Sequence, residues 1–127
     1  MKIVQGTNGA LIPISPAVRS GGFIILSGQL ALREGRIVGQ TIEEQTDVVI
    51  GNIEDLLAHW GKGLKDVVKT TAWLTRSVDF AGFNAAYARR FLLPFPARST
   101  VVAQLLIPEA LVEVEAIVSA ELCRSSC

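Results

Sequence analysis

The 127-residue sequence is short of the side chains most often used for proton transfer and metal binding. It holds one histidine, His59, and two cysteines, Cys123 and Cys127, both in the last five positions, "CRSSC". A single histidine on a predicted helix cannot complete a Ser-His-Asp set, and two thiols without a nearby histidine make a poor metal site. A disulfide between them would close almost no loop. There is no charge imbalance: Lys plus Arg and Asp plus Glu are 12 each, for a net charge of +0. No field therefore gathers nucleic-acid phosphates or anionic lipid, and neither is expected as a partner. Apolar runs such as "FIILSG" and "LLIPEALV" fall far short of the roughly 20 residues of a membrane helix. The start, "MKIVQGTNG", lacks an apolar signal core and a cleavage site, so a cytoplasmic location is expected. Neither G-x-x-x-x-G-K-[ST] nor G-x-G-x-x-G occurs, which argues against nucleotide binding.

What is present is apolar residue in surplus. Half the chain is hydrophobic and the mean hydropathy is +0.41, high for a small soluble monomer, so part of the surplus is assigned to a subunit interface. Residues 1–127 read as one domain, with no repeat or linker. "KIVQG" is a candidate strand, and "AVRSGGFIILSGQ" reads as two strands around Gly21-Gly22. Thr41 followed by Glu44 is a capping box, after which Ile42, Val49, Ile53, Leu56, Leu57 and Trp60 recur at helical spacing up to Gly61. "DVVKTTAWLT" alternates as a strand. Asp79 is placed as the cap of a second helix with Phe80, Phe83, Tyr87 and Phe91 in one stripe, stopped by Pro94 and Pro96.

"RSTVVAQLL" and "LVEVEAIVSAEL" then read as two strands. The order β-β-β-α-β-α-β-β predicts an α+β fold, a mixed sheet of about six strands with two helices on one face. The last strand would turn its valines to the helices and show Glu113, Glu115 and Ile117 on the uncovered face, which suits a homo-oligomer with a ligand pocket at its interface.

Three features bear on chemistry. Arg98 lies in "PARSTV", where the two preceding prolines, Pro94 and Pro96, stiffen the backbone and a guanidinium fork at a strand entrance matches a carboxylate. A plain surface charge is the alternative. Glu113 and Glu115 fall on one strand face, where one carboxylate can act as general base on water; pairing with Lys69 or an arginine is the other reading. Gly28 in "LSGQ" allows close backbone approach to a small ligand, or simply makes a turn.

The segments "AVRSGGFIILSGQL", "IEEQTDVVIGNIEDLL", "DVVKTTAWLT", "DFAGFNAAY", "PARSTV" and "ALVEVEAIV" resemble, in order and spacing, the RidA family, also called YjgF or endoribonuclease L-PSP-like proteins. The resemblance implies a chorismate-mutase-like α+β fold, a homotrimer with ligand pockets between subunits, and no cofactor. It implies hydrolysis of reactive 2-imino acids such as 2-iminopropanoate and 2-iminobutanoate, released by pyridoxal-phosphate-dependent dehydratases, to 2-oxo acid and ammonia. Arg98 would grip the substrate carboxylate and Glu113 would act near the substrate nitrogen or the attacking water. Gly28 and Thr100 would supply backbone contacts, Asn84 and Tyr87 would support the pocket, and Lys69 is a looser candidate. Ile14 in "PISPA" stands where the founding branch has a pocket tyrosine, and Thr100 where a cysteine is usual. The competing functions are a carboxylate-binding regulatory trimer without turnover and, against the neutral charge, an endoribonuclease.

Overall fold

The computed structural model describes residues 12–121. Its elements are β1 (Ala17–Ser20), β2 (Phe23–Gln29), β3 (Leu32–Arg33), β4 (Arg36–Ile37), α1 (Ile42–Ala58), β5 (Val67–Leu74), α2 (Phe80–Arg90), β6 (Ala97–Val102) and β7 (Val112–Ser119). Five strands form one mixed sheet in the order β1-β2-β7-β5-β6, with β3 and β4 as a separate ribbon. Only β5 and β6 run parallel, joined through α2. The expected α+β class is the observed one. The strand expected at Lys2 to Gly6 lies outside the described residues, as do Cys123 and Cys127. The β3–β4 ribbon was not expected, because strands of two residues leave no alternation to read.

Local chemistry sets the element ends. Gly21 takes φ +58° at the β1–β2 turn, where Ser20 faces Phe23. At the start of α1, Thr41 Oγ1 accepts the Glu44 N–H at 3.1 Å while Glu44 Oε1 accepts the Thr41 N–H at 3.1 Å, the capping box expected. Gly61, at φ +69°, ends the helix, and the Lys62 N–H reaches back to the Leu57 carbonyl at 3.0 Å in a Schellman closure. Asp79, expected to cap α2, does not: its carboxylate takes two hydrogen bonds from Arg76, both 2.9 Å, and makes no cap bond to the helix. A bidentate guanidinium is the stronger partner for that carboxylate.

Both helices cover one face of the sheet. Val49, Ile53 and Leu57 of α1 and Phe83, Tyr87 and Phe91 of α2 pack with Ile24, Leu26, Ala72, Leu74, Val112, Val114, Ala116 and Val118 in one core. The alternation of β5 holds from Thr70 to Leu74, but Val67 is buried and Val68 only partly, since the register with β7 slips between Val67 and Lys69. β6 ends at Val102, short of the expected Leu106. Phe80 departs from its stripe: it is 46% exposed and meets the guanidinium of Arg98 instead of the core.

The opposite face has no helix against it among the described residues. Val18, Phe23 and Ile25 lie there half-exposed, with Ile117, Lys69, Thr71, Trp73, Glu113 and Glu115 partly buried beside them. Cross-strand register places Val18, Ile25, Ile117 and Lys69 in one row, and Glu113 beside Trp73 in another.

Candidate active site

Arg98 is fixed by α2. In the β5–β6 register it pairs with Thr70, a residue buried on the helix side, so its side chain leaves the sheet toward the helices. The guanidinium carbon lies 4.8 Å from the ring centre of Tyr87, 5.1 Å from that of Phe83 and 5.8 Å from that of Phe80. One amino group donates to Asn84 Oδ1 at 2.7 Å. No carboxylate bridges Arg98 among the described residues, so its charge is held by aromatic faces and one amide. The rest of the planar fork donates to no other side chain among the described residues, a geometry that matches a planar anion. Asn84, Tyr87, Ala88, Phe95, Pro96 and Arg98 line a cleft of about 450 Å³.

Tyr87 is a supporting residue. Its hydroxyl shares a 2.7 Å hydrogen bond with Thr70 Oγ1, and its ring stacks at 4.5 Å on Phe91. Burial pushes the phenol above its ordinary pKa, with Thr70 and Arg98 acting in the other direction. It stays neutral and serves as a floor for the arginine.

Glu113 is fixed by a different part of the fold. The β2–β7 register shifts between Leu26 and Gln29, a bulge that contains Ser27 and Gly28. A β-carbon on Gly28 would collide with the Glu113 carboxyl, so glycine is what lets that carboxyl lie against the β2 backbone. Burial raises the Glu113 pKa, and the nearby Glu115 charge raises it further. Neither glutamate pairs with Lys69 or an arginine among the described residues. The two carboxylates line a cleft of about 680 Å³ with Gly28, Ser27, Ile14, Pro16, Leu30, Leu32, Asn52 and Asp55.

Within one chain these two groups are divided by the sheet: Arg98 faces the helices at the β6 edge, and Glu113 faces away from them on the central strand β7. Thr100 lies on β6 two residues beyond Arg98, opposite Ala72, and Lys69 lies on the uncovered face beside Ile117. Gly28, Ile14 and Glu113 thus share one cleft, Arg98, Asn84 and Tyr87 share the other, and Thr100 and Lys69 line neither. Sequence reading missed Phe80 and Phe83 as the bed of Arg98, and Asn52 as a support of the Glu113 cleft. The aromatic spacing looked like plain core, but Asn52 left a signal as an amide among the buried Val49, Ile50 and Ile53 of α1. Among the described residues, no group of three His, Cys, Asp or Glu side chains is arranged to hold a metal ion, and no helix is long and apolar enough to cross a membrane.

A bulged strand laying glycine against a carboxyl, and an arginine bedded on helix aromatics, define an α+β sheet protein with a guanidinium on the covered face and two carboxylates on the other. The family model "Endoribonuclease L-PSP" matches residues 7–120. A RutC family protein of Pyrococcus horikoshii is 38% identical over 122 residues, covering 92% of this chain and 97% of the relative. "Reactive Intermediate Deaminase A, chloroplastic" of Arabidopsis thaliana is 38% identical over 110 residues, covering 85% of this chain and 59% of that longer protein. Among solved structures, a Rid family protein of Yersinia pestis matches with TM-score 0.81 at 37% identity, covering 87% of this chain and 90% of that one. A YjgF family member of Neisseria meningitidis matches with TM-score 0.79 at 30% identity, covering 95% and 97%. The chain belongs to the endoribonuclease L-PSP family, the RidA or YjgF family of its sequence motifs.

Proposed function

We propose that the protein is a hydrolytic deaminase of 2-imino acids, with each site built from Arg98 of one subunit and Glu113 of another in a homotrimer. The observation that carries this reading is the Glu113 carboxyl, laid on Gly28 in an open cleft, with no cation bridging it among the described residues of its own chain and with its pKa raised by burial. The family resemblance and the Arabidopsis relative's name supply the substrate class. An uncovered apolar sheet face on each chain supplies the surface for subunit contact.

In this reading Arg98 holds the substrate carboxylate through its fork and so fixes the C2 carbon for attack. With the imine protonated on nitrogen, a water oxygen bonds to C2 and the C=N electron pair moves to nitrogen, leaving a neutral amino group. Glu113 accepts one proton of the attacking water. Glu113 then returns that proton to the amino nitrogen, and as the C–N bond breaks the carbinolamine hydroxyl becomes the carbonyl of the 2-oxo acid and passes its proton through Glu113 to the leaving ammonia, which departs as ammonium. A carboxylate whose pKa is raised is the better base at neutral pH. An imine protonated on nitrogen is already electrophilic, so orientation and an aimed water suffice, without a cofactor step.

The test is competition with semicarbazide for imines made by an amino acid oxidase. Added protein is expected to lower semicarbazone yield, and Arg98→Ala to abolish that effect. No effect of the wild-type protein on any imine would overturn the reading. In that case, binding of 2-oxo acids that Arg98→Ala removes would instead support the regulatory trimer.

A further inference from the structure

Beneath Arg98 lies a buried pair of hydroxyls. Thr70 is fully buried, in the part of β5 whose other helix-facing residues, Ala72 and Leu74, are apolar. Valine would have nearly the same shape in a strand with no polar atom to satisfy, so a threonine there needs a partner for its hydroxyl. That partner is Tyr87 of α2, whose hydroxyl lies 2.7 Å from Thr70 Oγ1, the one hydrogen bond either hydroxyl makes among the described residues. Tyr87 is itself only 4% exposed.

The pair stands at the root of the arginine. Thr70 and Arg98 are partners in the parallel β5–β6 register, so their side chains leave the same face of the sheet side by side. Of the three rings around the guanidinium carbon, that of Tyr87 is the nearest, at 4.8 Å. The same ring stacks on Phe91 at 4.5 Å and lies tilted to Phe83 at 5.5 Å, and dispersion contacts of this kind change little when a ring slides. A hydrogen bond is directional and pins the far end of the ring. Asn84 lies three residues before Tyr87, hence on the same face of α2. The bond that seats Tyr87 on the sheet therefore also places the amide that accepts from Arg98 at 2.7 Å.

We propose that Thr70 is a positioning residue for anion recognition: through its hydrogen bond to Tyr87 it sets the plane and the aim of the Arg98 fork without touching the substrate. The inference rests on the reading of Arg98 as the carboxylate grip. Thr70, Tyr87, Asn84 and Arg98 belong to one chain and lie on the helix side of the sheet, so the device is complete in each subunit. Glu113, on the opposite face, is not part of it. A carboxylate bound through two parallel hydrogen bonds needs both prongs of the fork in its own plane. A tilted guanidinium keeps its charge and loses one of the two bonds.

The experiment compares Thr70→Val, Thr70→Ser, Tyr87→Phe and the double variant Thr70→Val/Tyr87→Phe with wild type. It reads kcat/KM for the imine made from alanine, calorimetric affinity for pyruvate, and Tm. Thr70→Val keeps the shape and loses the hydroxyl, and is expected to lower kcat/KM and pyruvate affinity by about tenfold each, less than outright misplacement of a substrate. Thr70→Ser, which keeps the hydroxyl, should hold most of both. Each single loss of a hydroxyl leaves the other buried and unpaired and should lower Tm, whereas the double variant removes both and should regain Tm without regaining affinity. Affinity that returns together with Tm would make Thr70 a purely structural residue and overturn the inference, as would a Thr70→Val protein that binds pyruvate as well as wild type. Pyruvate binding that weakens in Thr70→Val, with no imine turnover by wild type, would keep the positioning role and remove the deaminase. Turnover that Thr70→Val leaves at the wild-type rate would keep the deaminase and remove the positioning role. A wild-type protein that neither binds pyruvate nor turns over the imine would overturn both.

Discussion

Arg98 and Glu113 are charged residues of opposite sign held by opposite means. Arg98 is positioned from outside the sheet by α2: three rings and Asn84 fix the plane of the guanidinium. Glu113 is positioned from within the sheet, by a bulge that removes a side chain at Gly28 and by a strand that sets Glu115 beside it. The first arrangement aims a permanent charge, because aromatic faces attract a cation. The second makes a titratable charge reluctant to ionise, because burial and a like charge both oppose it. One suits gripping an anion and the other suits exchanging a proton.

The largest effect is expected from removing the grip. Arg98→Ala should lower kcat/KM for imine hydrolysis by a hundredfold or more, on the order of what misplacing a bound substrate costs. Arg98→Lys should recover little of it, since a point charge does not replace a fork. Glu113→Gln should cost about a hundredfold in kcat, the lower range for a positioned proton-transfer group, and most of that loss should persist at saturating substrate.

Mixing the two inactive proteins tests whether the halves of the site come from different chains. Arg98→Ala and Glu113→Gln, unfolded together and refolded in equal amounts, should recover about a quarter of wild-type activity if each site joins two subunits at random. A site within one chain would recover none.

Two smaller effects concern the bulge and the acid pair. Gly28→Ala should lower activity about tenfold with little change in Tm, because the clash is with the movable end of Glu113 and not with backbone. Glu115→Gln removes the lesser of the two causes that raise the Glu113 pKa. The acid limb of the kcat/KM profile, where Glu113 gains its proton, should therefore move to lower pH, by less than burial's own contribution. The same shift has a stability consequence. A carboxyl whose folded pKa is raised stabilises the fold while protonated and loses that contribution as pH rises through its folded value. Glu113→Gln should therefore raise Tm slightly at neutral pH, and the gain should vanish as the pH is lowered through the carboxylate range.

The helices and most strands were legible in the sequence because they rest on local rules. The capping box at Thr41 and Glu44, the closure at Gly61 and the inward valines of β7 follow from spacing alone. Asp79 and Phe80 were misread for one reason: each has a partner, Arg76 and Arg98 respectively, whose approach no helical periodicity encodes. The slip in β5 between Val67 and Lys69 is likewise a matter of its neighbour β7.

By itself the sequence determined the class of fold and the covered and uncovered sides of β7, and it singled out Arg98 and Glu113 as the charged groups to examine, since residue type and alternation are properties of the chain. Only the tertiary structure decided that Arg98 lies on the helix side and Glu113 on the other, that Gly28 lies under the Glu113 carboxyl, and that Asn52 ties the Leu30 and Leu32 carbonyls to α1. Those facts depend on strand order, register and a bulge, which arise from pairing between segments far apart in the chain.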